Sequence, residues 1–299
     1  MKHARLGLLA LPLLLAAGCQ IPQLPGMKTD TPSATINKSD WPGAPSIAAY
    51  TFSDKWSDNS VDRCQFVFTY PELTKPHTWT PEEQPSNPVL DRANKEIMRA
   101  YGLISATGTI ALNPEEVSAE FMEMCRSDIE SMTQELGPES VEHMMYVDDS
   151  TFTVHMLNAD YTSLTIETYQ YTGGAHGNPG IQAVTLDLAT GQRLTLGDVI
   201  KNDQLQTVMK AAYVDILKDY EEALFDEART EINGIVNNTT AMPEAEQREK
   251  FGTATNFFLA GEGIMFFWNA YEITPYVAGQ PMAFLPWSEL EGKLLIKQP

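Results

Sequence analysis

The stretch TFTVHML at residues 151–157, the turn NAD at 158–160 and the stretch YTSLTIETYQY at 161–171 decide the class of the fold. In the first arm Phe152, Val154 and Met156 share one face, and Thr151, Thr153 and His155 share the other. A period of two predicts a strand. The second arm alternates again, with Leu164 and Ile166 facing one way and Tyr161, Tyr169 and Tyr171 the other. By this alternation His155 sits on the polar face and is expected to be exposed.

The same period continues toward the C-terminus. Residues 181–188, the turn Ala189-Thr190-Gly191-Gln192 and residues 193–196 read as a further hairpin. One long helix is expected from Asp203 to Ile232. Its buried stripe is Leu205, Val208, Met209, Ala212, Ile216, Tyr220 and Leu224, and Asp215, Asp219, Glu222 and Asp226 form a solvated acidic face. The end is β again: 253–259, a glycine-rich turn at Gly261-Glu262-Gly263, then 264–268 and 282–285.

Toward the N-terminus, residues 64–70 are β-branched and aromatic, are closed by Pro71, and predict a strand. Asn87-Pro88 opens a helix with Leu90, Asn94, Ile97, Met98 and Tyr101 on a stripe. Asn113-Pro114-Glu115-Glu116 is a helix start with N-cap, first-turn proline and capping glutamate. Val117, Phe121, Met124, Cys125, Met132 and Leu136 carry that helix to Gly137-Pro138. Strands and helices come in runs and not in βαβ alternation. The class is therefore α+β, with largely antiparallel sheets packed against a few helices in two subdomains.

Composition bounds the function. Forty acidic against 20 basic residues give a formal charge of −20 over 299 residues. Such a surface repels phosphate backbones, so nucleic-acid partners are not expected. Three cysteines exclude a disulfide-rich scaffold. In an oxidising compartment Cys64 and Cys125 would pair and tie a strand to a helix; the alternative is two buried thiols.

Residues 1–19 carry an address. A short basic start, Lys2 to Arg5, precedes an apolar run from Leu6 to Leu15 and then Ala16-Ala17-Gly18-Cys19. About ten apolar residues are too few to cross a bilayer of about 30 Å as a helix, so residues 1–18 read as an export signal. The small residues before Cys19 resemble a bacterial lipobox, although Leu15 stands one place earlier than usual. The alternative is an ordinary cleaved signal with an incidental cysteine. The lipoprotein resemblance implies lipidation of Cys19, and Gln20 after it resembles outer-membrane sorting. Removal of Lys2 and Arg5 with the leader leaves 18 − 40 = −22 on the exported chain. Residues 19–45, with prolines at 22, 25, 32, 42 and 45, have no period and read as a tether. The expected organisation is signal 1–18, tether 19–45, a smaller α+β domain 46–145 and a C-terminal domain 146–299.

Three ordered segments carry a family resemblance. They are Tyr171-Thr172-Gly173-Gly174-Ala175-His176-Gly177-Asn178, the pair 186–191 with 194–200, and 256–259 running into Gly263 and on through Asn269-Ala270-Tyr271-Glu272-Ile273-Thr274-Pro275-Tyr276-Val277-Ala278-Gly279. Their order and spacing resemble the extracytoplasmic domain of RsiV-type anti-sigma factors, a module also found ahead of peptidoglycan deacetylase domains and in uncharacterised bacterial lipoproteins. The resemblance covers residues 146–299 and implies that lysozyme is a candidate partner. No sigma-binding segment, membrane-spanning apolar stretch or deacetylase metal cluster accompanies it.

Candidate chemistry centres on the first and third of these segments. Gly173, Gly174 and Gly177 allow close approach of backbone to a ligand, and His176 could act as a base or ligand; the alternative is a strand-connecting turn. Metal binding would need a second and third ligand, and His77, His143, His155 and His176 show no metal-site spacing; a site using His176 with Glu272 is the alternative. No cofactor is expected. Asn269, Tyr271, Glu272 and Tyr276 read either as a core-capping loop or as an aromatic contact surface for protein or glycan. Glu272, among Trp268, Tyr271 and Tyr276, would be the acid of a glycan hydrolase with His176, which is the alternative to a non-enzymatic binding protein.

Overall fold

The computed structural model describes residues 44–58, 61–74, 87–103 and 113–298. The export signal, Cys19, the tether to residue 43 and His77 lie outside the described residues. A six-stranded sheet is ordered along the chain: β1 (Ser46–Asp58), β2 (Val61–Thr74), β3 (Tyr146–Leu157), β4 (Tyr161–Tyr171), β5 (Asn178–Asp187) and β6 (Gln192–Arg193). Neighbours are antiparallel except β2 and β3, which run parallel from Cys64 opposite Tyr146 to Phe68 opposite Ser150. Parallel neighbours need a crossover. Here it contains α1 (Pro88–Ala100) and α2 (Pro114–Leu136). The sheet therefore runs unbroken across residue 145. A second, antiparallel sheet of β7 (Phe257–Ala260), β8 (Gly263–Phe267) and β9 (Met282–Pro286) completes an α+β fold.

Local chemistry explains the helix starts. Asn113 accepts from the Glu116 N–H at 2.8 Å while Glu116 reaches back to the Asn113 N–H, a complete capping box. Asn94 of α1 is half-buried, and its amide bonds both the N–H and the carbonyl of Leu73. It thus works as a strand neighbour for the end of β2.

The large sheet is covered on both faces. On one, α1 places Ala93, Ile97 and Ala100 over Leu164, Ile166, Val184 and Leu186, and α2 places Phe121, Met122 and Ile129 over Phe66 and Phe68. A disulfide joins Cys64 of β2 to Cys125 of α2, with both residues fully buried. The other face meets the small sheet through Ala183, Phe258 and Phe267. Behind the small sheet lies the largest apolar cluster, built by α3 (Leu196–Val199), α4 (Leu205–Tyr220) and α5 (Asp226–Asn237). A last short helix, α6 (Glu244–Gln247), follows, and no helix among the described residues is long and apolar enough to cross a membrane.

Four expectations need correction. The single helix from 203 to 232 is two helices, broken at 221–225. The break is held by Arg229, which donates to the carbonyls of Glu221, Glu222 and Leu224, and by the Phe225 N–H, which donates to Ile273 O at 2.9 Å. The strand expected from Thr253 begins at Phe257. The arm 193–196 pairs only at Gln192 and Arg193, because Thr195 caps α3. His155 is not exposed: its ring stacks on Phe258 of β7 at 3.8 Å, since the small sheet covers the polar face of β3 and β4.

Candidate functional site

Two loops from different sheets meet at one edge of the molecule. The first joins β4 to β5, and the second follows β8. In the first, Gly173 and Gly174 have φ of 88° and 97°, a region other side chains enter at a cost. The Tyr171 hydroxyl closes this turn by donating to Gly174 O at 3.0 Å. Gly177 is required for a different reason: a Cβ there would collide with the ring of Tyr169. His176 is exposed, and its Nδ1 lies 2.9 Å from Gly177 O. A carbonyl only accepts, so Nδ1 carries the proton in this hydrogen bond.

The second loop is anchored by Asn269. Its Oδ1 accepts from the Ile181 N–H at 2.7 Å and from Gln280 at 3.2 Å, and its Nδ2 donates to Ile181 O at 3.1 Å. Asn269 thereby adds one strand-like rung beyond β5. The Glu272 carboxylate accepts from the Asn269 N–H at 3.0 Å and lies 3.4 Å from Nδ2. Between them Tyr271 takes φ of 70°, the one positive φ outside glycine among the described residues. Its N–H donates to Thr274 O at 2.9 Å, which holds the strained turn closed.

The rings then line up. His176 stacks on Tyr276 with centroids 3.8 Å apart and planes 12° apart, and Tyr271 lies 6.1 Å beyond Tyr276 at 29°. Tyr271 is 54% exposed and the neighbouring Val277 is 91% exposed. The result is an apolar, aromatic surface on a rigid double loop. Two surface depressions lie elsewhere: about 560 Å³ beside Asp54 and Arg126, and about 420 Å³ beside Thr207 and Lys293.

All eight candidate residues thus fall in one place, in unequal roles. Gly173, Gly174 and Gly177 shape the first turn, while His176, Tyr271 and Tyr276 form the surface. Asn269 spends its amide on β5 and Gln280. Glu272 is exposed, and its carboxylate is tied to Asn269. Sequence reasoning missed Val277 and the clamp partner Ile181. Val277 stood within the quoted motif, and its exposure is the signal that only the folded loop reveals. No three His, Cys, Asp or Glu side chains converge as a metal site would among the described residues.

Two family models match successive parts of the chain. A family model described as Deacetylase PdaC matches residues 14–179, and one described as Protein of unknown function (DUF3298) matches residues 200–288. A solved member of the DUF3298 family from Bacteroides fragilis is 19% identical with a TM-score of 0.56, covering 86% of this chain and 96% of that one. A DUF3298 family protein from Pseudomonas aeruginosa is 15% identical with a TM-score of 0.47, covering 83% of this chain and 93% of that one. The first likeness shows a shared fold. No curated protein matches.

Proposed function

The chain belongs to the Deacetylase PdaC family, and on that premise we propose that it is a non-enzymatic binding protein of the bacterial cell envelope. In this reading Cys19 is lipidated and anchors the chain to the outer membrane, and residues 20–45 tether the folded part. The paired loops take a macromolecular ligand, lysozyme or a cell-wall component.

The observation that carries the reading is the His176–Tyr276 stack, which joins the two loops into one exposed aromatic surface. Large rings with few torsions to freeze, on a backbone already fixed by Asn269 and Glu272, suit binding with little ordering cost. The resemblance to RsiV-type domains supports lysozyme as the partner. So does charge, because a chain of formal charge −20 attracts a cationic protein.

Incubation with soluble peptidoglycan separates this reading from the hydrolase alternative. The native chain is expected to release no new reducing ends or free amines, and Glu272→Gln is expected to alter binding only. Turnover that Glu272→Gln abolishes would replace the binding reading with the hydrolase one.

A further inference from the structure

The candidate surface is assembled across a seam. His176 arrives from the large sheet and Tyr276 from the small one, so the stack exists only while the two sheets are docked. The apolar layer between the sheets is thin. Its buried members are Ala183, Phe258 and Phe267, with Ile181, Met265 and Met282 packed beside them. By contrast, 22 buried residues form the cluster behind the small sheet. On one side Met156 of β3 and Tyr161 of β4 join the large cluster, and on the other the seam is polar. Ser163 and Thr185 share a hydrogen bond at 2.8 Å, and the Leu259 N–H of β7 crosses to donate to Ser163 Oγ at 2.9 Å. Asn269 crosses further along to both polar groups of Ile181. A seam with few apolar contacts is the cheapest place for the fold to open.

His155 stands in this seam. Its ring lies on Phe258, and its Nε2 is 2.8 Å from the Thr165 hydroxyl. That hydroxyl donates to Glu167 Oε1 at 2.6 Å, so it accepts from His155 and Nε2 carries the proton. Thr153 of β3 also donates to Glu167, at 3.2 Å. The groups facing His155 are therefore Thr153 on its own strand, Thr165 and Glu167 on β4, and Phe258 on β7. Glu167 is the one charge in that set and reaches the imidazole only through Thr165.

We propose that docking of the small sheet is an acid-sensitive switch operated by His155, which separates the two loops and releases ligand when its ring becomes charged. Burial pulls His155 down to about 4 in the closed form. In an opened seam the ring returns toward the ordinary value of about 6.5. Its neutral form therefore supports docking fully above about 6.5, and that support is lost as pH falls through the interval down to about 4. Met156 belongs to the large cluster behind the small sheet, so opening is expected at the Phe258 and Asn269 side. The consequence for ligand rests on reading the loops as a binding surface; the switch itself does not.

Amide hydrogen exchange on the full-length chain in detergent, without ligand, tests the switch. The reporters are the Leu259 and Ile181 amides, whose bonds cross the seam. Their protection factors, corrected for intrinsic rate, are expected to fall on the order of fifty-fold between pH 7 and pH 4.5, with the β3–β4 ladder far less affected. In His155→Phe the fall is expected to vanish. An imidazole titration of the native chain by nitrogen NMR is expected to place His155 below pH 5. Unchanged protection in the native chain, an equal fall in the variant, or titration of His155 near 6.5 would each overturn the proposal. Failure of both lysozyme and soluble peptidoglycan to bind at any pH would sink the proposed function and leave these readouts standing.

Discussion

Arg63 and Cys64 are consecutive on β2, and each fastens a different part of the α2 segment. Cys64 is bonded to Cys125 near the middle of the helix, with Cα atoms 6.2 Å apart. The buried guanidinium of Arg63 donates through Nη1 to the carbonyls of Val141, Glu142 and Met144, in the turn that leads into β3. One dipeptide therefore holds both the helix and its exit.

The disulfide closes a separation of 61 residues, for which loop-closure entropy gives about 4 kcal/mol. Cys64→Ala with Cys125→Ala is expected to destabilise the protein by roughly 2–4 kcal/mol in denaturant unfolding. A loss below about 1 kcal/mol would mean that α2 is held by packing alone.

Arg63→Met keeps the stem volume and removes the donors, leaving carbonyls in the 141–144 turn without their partner. A loss of about 2 kcal/mol is expected. Arg63→Lys should recover part of it, and equal stability of all three proteins would refute the clamp.

Asn269→Ala removes the rung between the second loop and β5. The loop is then free to leave the His176 ring, and lysozyme affinity is expected to fall at least about tenfold, or 1.4 kcal/mol. Global stability should change by about 1 kcal/mol or less, because the site lies at an edge. Unchanged affinity would place the ligand elsewhere.

Tyr271→Gly separates strain from packing. Removing a side chain from the left-handed region relieves about 1 kcal/mol, while the ring is lost to any ligand. The melting temperature is expected to hold or rise as lysozyme binding weakens. A marked drop in stability would instead identify Tyr271 as a packing element of the loop.

Where sequence reading succeeded, the signal was local. The period of two from Tyr161 to Tyr171 gives β4 with its observed ends, and the Asn113–Glu116 box starts α2 where expected. Where it failed, the deciding contact came from far along the chain. Glu221, Glu222, Ala223 and Leu224 are sound helix formers on a continuous stripe, yet Ile273 and Arg229 stop the helix there. The Thr151, Thr153 and His155 face looks solvated until Phe258 is laid upon it. The loop pair was legible as a set of residue types. Its assembly was not, because Asn269 finds Ile181 across 88 positions.

The most direct measurement is calorimetric titration of the full-length chain in detergent with lysozyme, at low and at physiological salt, beside an unrelated basic protein and a Tyr276→Ala variant. Saturable one-to-one binding that survives physiological salt and is lost in the variant is the expected result. Binding that disappears with salt, or that the basic control matches, would contradict it and leave only an acidic surface attracting cations.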